Sequence, residues 1–176
     1  MFTSPTPLLP TCDFAEAADL PIAERVGHCI ETIKQRHREG DYLELTTLPP
    51  VPDVGASKAE LDALEQQLSV KLPEDYRYLL TICRYIEIAP GACINGLDYD
   101  GVYLCGPINR IDDLAIPGTY LSIGDYYRFA DGDQLLLALD QADHPVVAYF
   151  HEHGPRIEYF APSVSLALWR LVYEQL

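Results

Sequence analysis

Apolar residues recur along the first half of the chain at helical spacing and along the second half at strand spacing. The clearest helical pattern lies in residues 57–84. Leu61, Leu64 and Leu68 fall on one helical face, and Tyr76, Leu79, Leu80 and Cys83 repeat at i, i+3, i+4 and i+7. Ser57 and Glu60 have the spacing of a capping box that opens the first helix. Pro73 suits the first position of the second, because its missing N–H would be orphaned there in any case. Glu74 and Asp75 place negative charge in the first turn, where the helix dipole favours it.

An earlier stripe, Ile22, Val26, Cys29, Ile30 and Ile33, predicts a helix of about four turns. Asp19 reads as its N-cap, with Pro21 just inside. Arg36 and Arg38 fall in the last turn, and Gly40 ends it. Residues 1–19, rich in Pro, Thr and Ser, read as an extended arm that Leu8, Leu9 and Phe14 could dock. Tyr42–Thr47 reads as a weak strand or a tether, and residues 48–56 form a Pro-rich linker. Ile86 and Ile88 suggest a strand broken at Pro90-Gly91.

From Leu97 onward the grain is β. Gly101–Gly106, Tyr120–Ile123, Gln134–Asp140, Pro145–His151 and Arg156–Phe160 are strand-like and mostly separated by turn residues, which predicts an antiparallel meander. Asn109–Leu114 reads as one helical turn or a loop. Leu135–Leu139 does not alternate, so this strand is expected to be covered on both faces. Ser163 is placed to cap a last helix carrying Val164, Leu168, Leu171 and Val172. The expected fold class is therefore α+β: an antiparallel sheet packed with helices, behind an N-terminal helical extension. The expected organisation is an arm over 1–19, a helix and linker over 20–54, and a domain over 55–176.

Charge narrows the function classes. The chain has 176 residues and a formal net charge of −15. Residues 86–153 hold eleven acids against two arginines. Such a surface disfavours nucleic acid and anionic membranes as partners, and suits a basic protein or simple solubility. Five cysteines, with no C-x-x-C pair, suit a reducing cytoplasm. Cys93 and Cys105 are the pair considered for a disulfide. The first residues lack a basic n-region and a long apolar run, so no secretory signal is expected.

Candidate chemistry is sparse. His151-Glu152-His153 has the H-x-H form of a metal-binding strand end, without a further ligand cluster. Asp98-Tyr99-Asp100-Gly101 has part of a calcium loop but lacks its later ligands. There is no nucleophile elbow and no Gly-rich phosphate loop. No catalytic residue, metal or cofactor is expected. What remains is an interleaving of acids and tyrosines: Asp98, Tyr99, Asp100 and Tyr103, then Asp125, Tyr126 and Tyr127, then Asp131 and Asp133. Tyrosine suits interfaces because it joins contact area to a polar tip. These nine residues form the expected partner surface, with the reservation that strand alternation sends some of the tyrosines inward.

The order of motifs resembles the SUKH superfamily, which includes bacterial immunity proteins and fungal cell-wall assembly regulators. The resemblance rests on Leu64, Glu65 and Leu68, on Leu72-Pro73-Glu74-Asp75-Tyr76 with Leu79-Leu80, and on Gly101-Val102-Tyr103-Leu104. It continues through Tyr120–Asp125, Val146–Phe150, Ile157-Glu158 and Ala161-Pro162-Ser163, so it covers about residues 55–176. It implies a non-enzymatic protein that binds and neutralises a toxin exchanged between competing bacteria, often a nuclease with a basic cleft. The alternative it implies is a regulatory or scaffold module.

Overall fold

The computed structural model describes residues 9–39, 54–89, 92–97, 106–108, 118–127, 130, 132–152 and 156–173. In chain order these form α1 (Ala15–Ala18), α2 (Ile22–Glu39), α3 (Lys58–Leu68), α4 (Glu74–Ile82), β1 (Ile86–Ala89), β2 (Ala92–Ile94), β3 (Gly106–Ile108), β4 (Tyr120–Asp125), β5 (Gln134–Ala138), β6 (Val146–Phe150), β7 (Arg156–Ala161) and α5 (Val164–Tyr173). The architecture is α+β, as the periodicity predicts. Strands β3-β4-β5-β6-β7 lie in sequence order in one antiparallel sheet, and β1-β2 is a separate hairpin. The segments 40–53, 98–105 and 109–117, with their weak strand, linker, calcium-like loop and helical turn, lie outside the described residues.

Capping and spacing explain the helices. Ser57 and Glu60 do form the capping box. The Ser57 N–H and hydroxyl, joined by Arg84, hold the Glu60 carboxyl down at about 2. Pro73 sits at the N-cap of α4, one position before the expected first turn. The buried Glu65 carboxylate ties the joint: it accepts from the backbone N–H of Leu72 at 3.1 Å and from Lys71 at 2.7 Å. Leu61, Leu64, Tyr76, Leu79, Leu80 and Cys83 all face the core.

The sheet is buried on both sides where β5 and β6 run. Leu135, Leu137, Val146, Ala148 and Phe150 pack in the main core with α2, α4 and α5. Leu136, Ala138, Val147 and Tyr149 pack with Tyr120 in a second cluster on the opposite face. This is why Leu135–Leu139 carries no polar alternation.

One expectation needs correction. The arm is not simply extended: it contains α1, and Leu9 and Ala17 belong to the main core. The Leu9 N–H donates to Glu158 at 3.0 Å, and Arg170 holds the Pro10 carbonyl at 2.6 Å. As expected, the strand begun at Ile86 stops just before Pro90-Gly91, at Ala89, and β2 then pairs antiparallel with β1, Ile86 opposite Ile94.

That hairpin lies against β4: Asn95 N–H donates to the Ile123 carbonyl at 2.7 Å, and the Tyr76 hydroxyl donates to the Asn95 carbonyl. Gly124 makes the approach feasible. A Cβ there would stand 2.1 Å from the Cys93 carbonyl oxygen and 3.3 Å from Ile94 Cα. Both obstacles are backbone, so a side chain must displace the hairpin. Gly124→Ala is expected to destabilise the protein by about 2–3 kcal/mol in urea denaturation.

Candidate interaction surface

The antiparallel register gathers the acidic end of the sheet. Asp125 closes β4 opposite Gln134, which opens β5, and Gln134 pairs with Tyr149 of β6. His151 and Glu152 follow β6 directly, and Phe150 pairs with Arg156 at the start of β7. The β1-β2 hairpin brings Glu87 and Cys93 to the same place, because Ala92 bridges to Tyr126.

Of the nine expected surface residues, Asp98, Tyr99, Asp100, Tyr103 and Asp131 lie outside the described residues. Asp125 is half-buried and Tyr127 is 43% exposed. Tyr126 and Asp133 do not belong to a surface, at 1% and 0% exposure. The Tyr126 ring packs edge-on against Phe160 at 5.3 Å and tilted against Phe150 at 6.3 Å. The cause is a register shift between Ser122 and Gly124. One extra residue moves every later side chain to the opposite face, so Tyr126, which simple alternation groups with Tyr120, turns into the core instead.

Asp133 serves the interior of this end. Its Oδ1 lies 3.0 Å from both the backbone N and Nδ1 of His151, while Oδ2 is buried without a hydrogen-bond partner. On the outer side, His151 Nε2 is 3.5 Å from the exposed Glu152. The histidine is thus fixed by a carboxylate beneath it. The strand register brings the two together: Gln134 opposite Tyr149 sets residue 133 across from the end of β6. Among the described residues no group of three His, Cys, Asp or Glu side chains could hold a metal ion.

Cys93 is a free thiol. Its Sγ lies 3.4 Å from Asp125 Oδ2 and 3.3 Å from Asn95 Oδ1, and it accepts from the Asp125 N–H at 3.4 Å. Burial pushes this thiol up to about 12. The Asp125 N–H opposes that rise, and the Asp125 carboxylate adds to it. The nucleophile is the thiolate, so alkylation of native Cys93 at neutral pH is expected to be at least about 100-fold slower than in the denatured chain, read by mass spectrometry of the labelled peptide.

No helix among the described residues is long and apolar enough to cross a membrane. No curated protein sequence and no solved structure gives a match to the chain. A family model does, over residues 55–167, which is more than half of the chain and begins just before α3. It spans the two-helix stretch, both β units and the start of α5, the segments whose motifs carry the resemblance. The chain belongs to the SMI1 / KNR4 family (SUKH-1).

Proposed function

We propose that this protein is an immunity protein that acts in the cytoplasm by binding a basic toxin, of the nuclease type, and occluding its cleft. The observation that carries the reading is the concentration of negative charge in residues 86–153, eleven acids against two arginines, together with the sheet end where Asp125, Tyr127 and Glu152 stand. A nuclease must attract a polyanion, so its cleft is positive, and an acidic surface can fill it with steered association. Tyr127 supplies aromatic area at the same end. Membership of the family supports a protein-binding role, and the inhibitor itself performs no chemistry.

Co-purification with the product of the neighbouring gene, at low and at high salt, tests this. A complex that forms with a basic protein and weakens with salt supports the reading. Retention of acidic partners only would overturn it.

A further inference from the structure

An open groove of about 500 Å³ runs between the arm and the edge strand β7. Leu9, Pro10 and Phe14 form one wall, Ile157 and Tyr159 the other, and Arg156, Glu158 and Arg170 are the charged side chains that line it. Tyr159 is 58% exposed along it.

The arginines of this fold show what is unusual there. Arg25 donates to the carbonyls of Ala17, Ala18 and Leu20 and to the Ser165 hydroxyl. Arg170 donates to the carbonyls of Phe160 and Pro10 and lies over the Phe160 ring. Arg156 instead makes one ion pair, Nε to Glu158 Oε1 at 2.9 Å, and its Nε is buried without an aligned hydrogen bond. Among the described residues no hydrogen bond engages its other nitrogens. Glu158 is shared, since it also accepts from the Leu9 N–H.

We propose that this groove binds a small apolar carboxylic acid of the fatty-acid type. The hydrocarbon lies against Leu9, Phe14, Ile157 and Tyr159, and the carboxylate engages the open side of the Arg156 guanidinium, whose planar fork matches it. The volume falls within the range of about 300–1,000 Å³ typical of small-molecule sites. The net charge of −15 repels anions from the surface at large, so attraction for a carboxylate must come from this local contact. The proposal does not rest on the toxin-binding reading, because it draws on none of Asp125, Tyr127 and Glu152.

The test is isothermal titration of the full chain with dodecanoate below its micellar concentration, with dodecanol as the uncharged probe. One saturable site that prefers dodecanoate is expected, with affinity that holds or rises as salt screens the overall repulsion. Arg156→Gln should weaken binding by at least about tenfold. Glu158→Gln, whose amide oxygen can still accept from Leu9, should tighten it by releasing the guanidinium. Absence of saturable binding, equal binding of dodecanol, or weaker binding by Glu158→Gln would each overturn the proposal. Should Arg156→Gln lose its native circular dichroism, the Glu158→Gln result and the dodecanol comparison still decide.

Discussion

A chain beginning at residue 54, just ahead of the family-matched segment, is expected not to fold into a cooperative native state. The segment it lacks is part of the core. Val26, Cys29, Ile30 and Ile33 of α2 are buried in the same cluster as α4, α5 and the inner face of the sheet. Burying a side chain of this kind contributes about 1.5–3 kcal/mol, and a whole domain has only about 5–15 kcal/mol of net stability. Four such losses, with the matching surface of α5 laid bare, approach or exceed that reserve. Polar ties go too: Arg25 no longer holds Ser165 at 2.7 Å, and Arg36 no longer reaches the Val172 carbonyl at 2.7 Å. The truncated chain should show collapsed amide dispersion in NMR and no sharp thermal transition. A sigmoidal melt with native dispersion would show that residues 55–176 are self-sufficient.

Asp75→Ala is expected to cost about 3–4 kcal/mol, a large effect for a single polar substitution. Asp75 is buried in the first turn of α4, and its two oxygens serve different helices. Oδ1 accepts from the Tyr76 N–H at 2.8 Å, and Oδ2 accepts from the Ser165 N–H at 2.7 Å. The second is an orphan donor at the start of α5, 90 residues away. Alanine leaves two buried donors without acceptors, at about 1–3 kcal/mol each. Asp75→Asn keeps one amide oxygen and should lose roughly half as much. The neighbouring Glu74 is exposed, so Glu74→Ala should stay within about 0.5 kcal/mol of the parent protein. Equal losses at the two positions, in urea denaturation, would refute the cross-helix cap.

Asp75 also marks the limit of what the sequence discloses. Glu74 and Asp75 look alike as first-turn acids. They differ only because the fold carries Ser165 to one of them. Local features were legible for the opposite reason: the capping box, the leucine stripe and the unalternating strand at Leu135 are each decided by neighbours in sequence or by simple burial. Of the nine residues read as a partner surface, the structure places four. Asp125 and Tyr127 stand at one end of the sheet, whereas the register shift after Ser122 turns Tyr126 inward. Asp133 is occupied by His151, a contact set by strand pairing between β5 and β6. The arm read as extended because α1 is only four residues long and Leu9 is a single anchor, too little to form a periodic signal.

If the acidic sheet end draws in a basic partner, the charge must act on the rate at which the two associate. The rate constant for complex formation with the co-purified toxin should be measured by stopped flow at low and high salt, for the parent protein and for Asp125→Lys/Glu152→Lys. The double reversal should slow association at low salt by at least about tenfold and flatten the salt dependence, while dissociation changes less. An unchanged association rate with an unchanged salt slope would contradict it and place the partner on another face of the molecule.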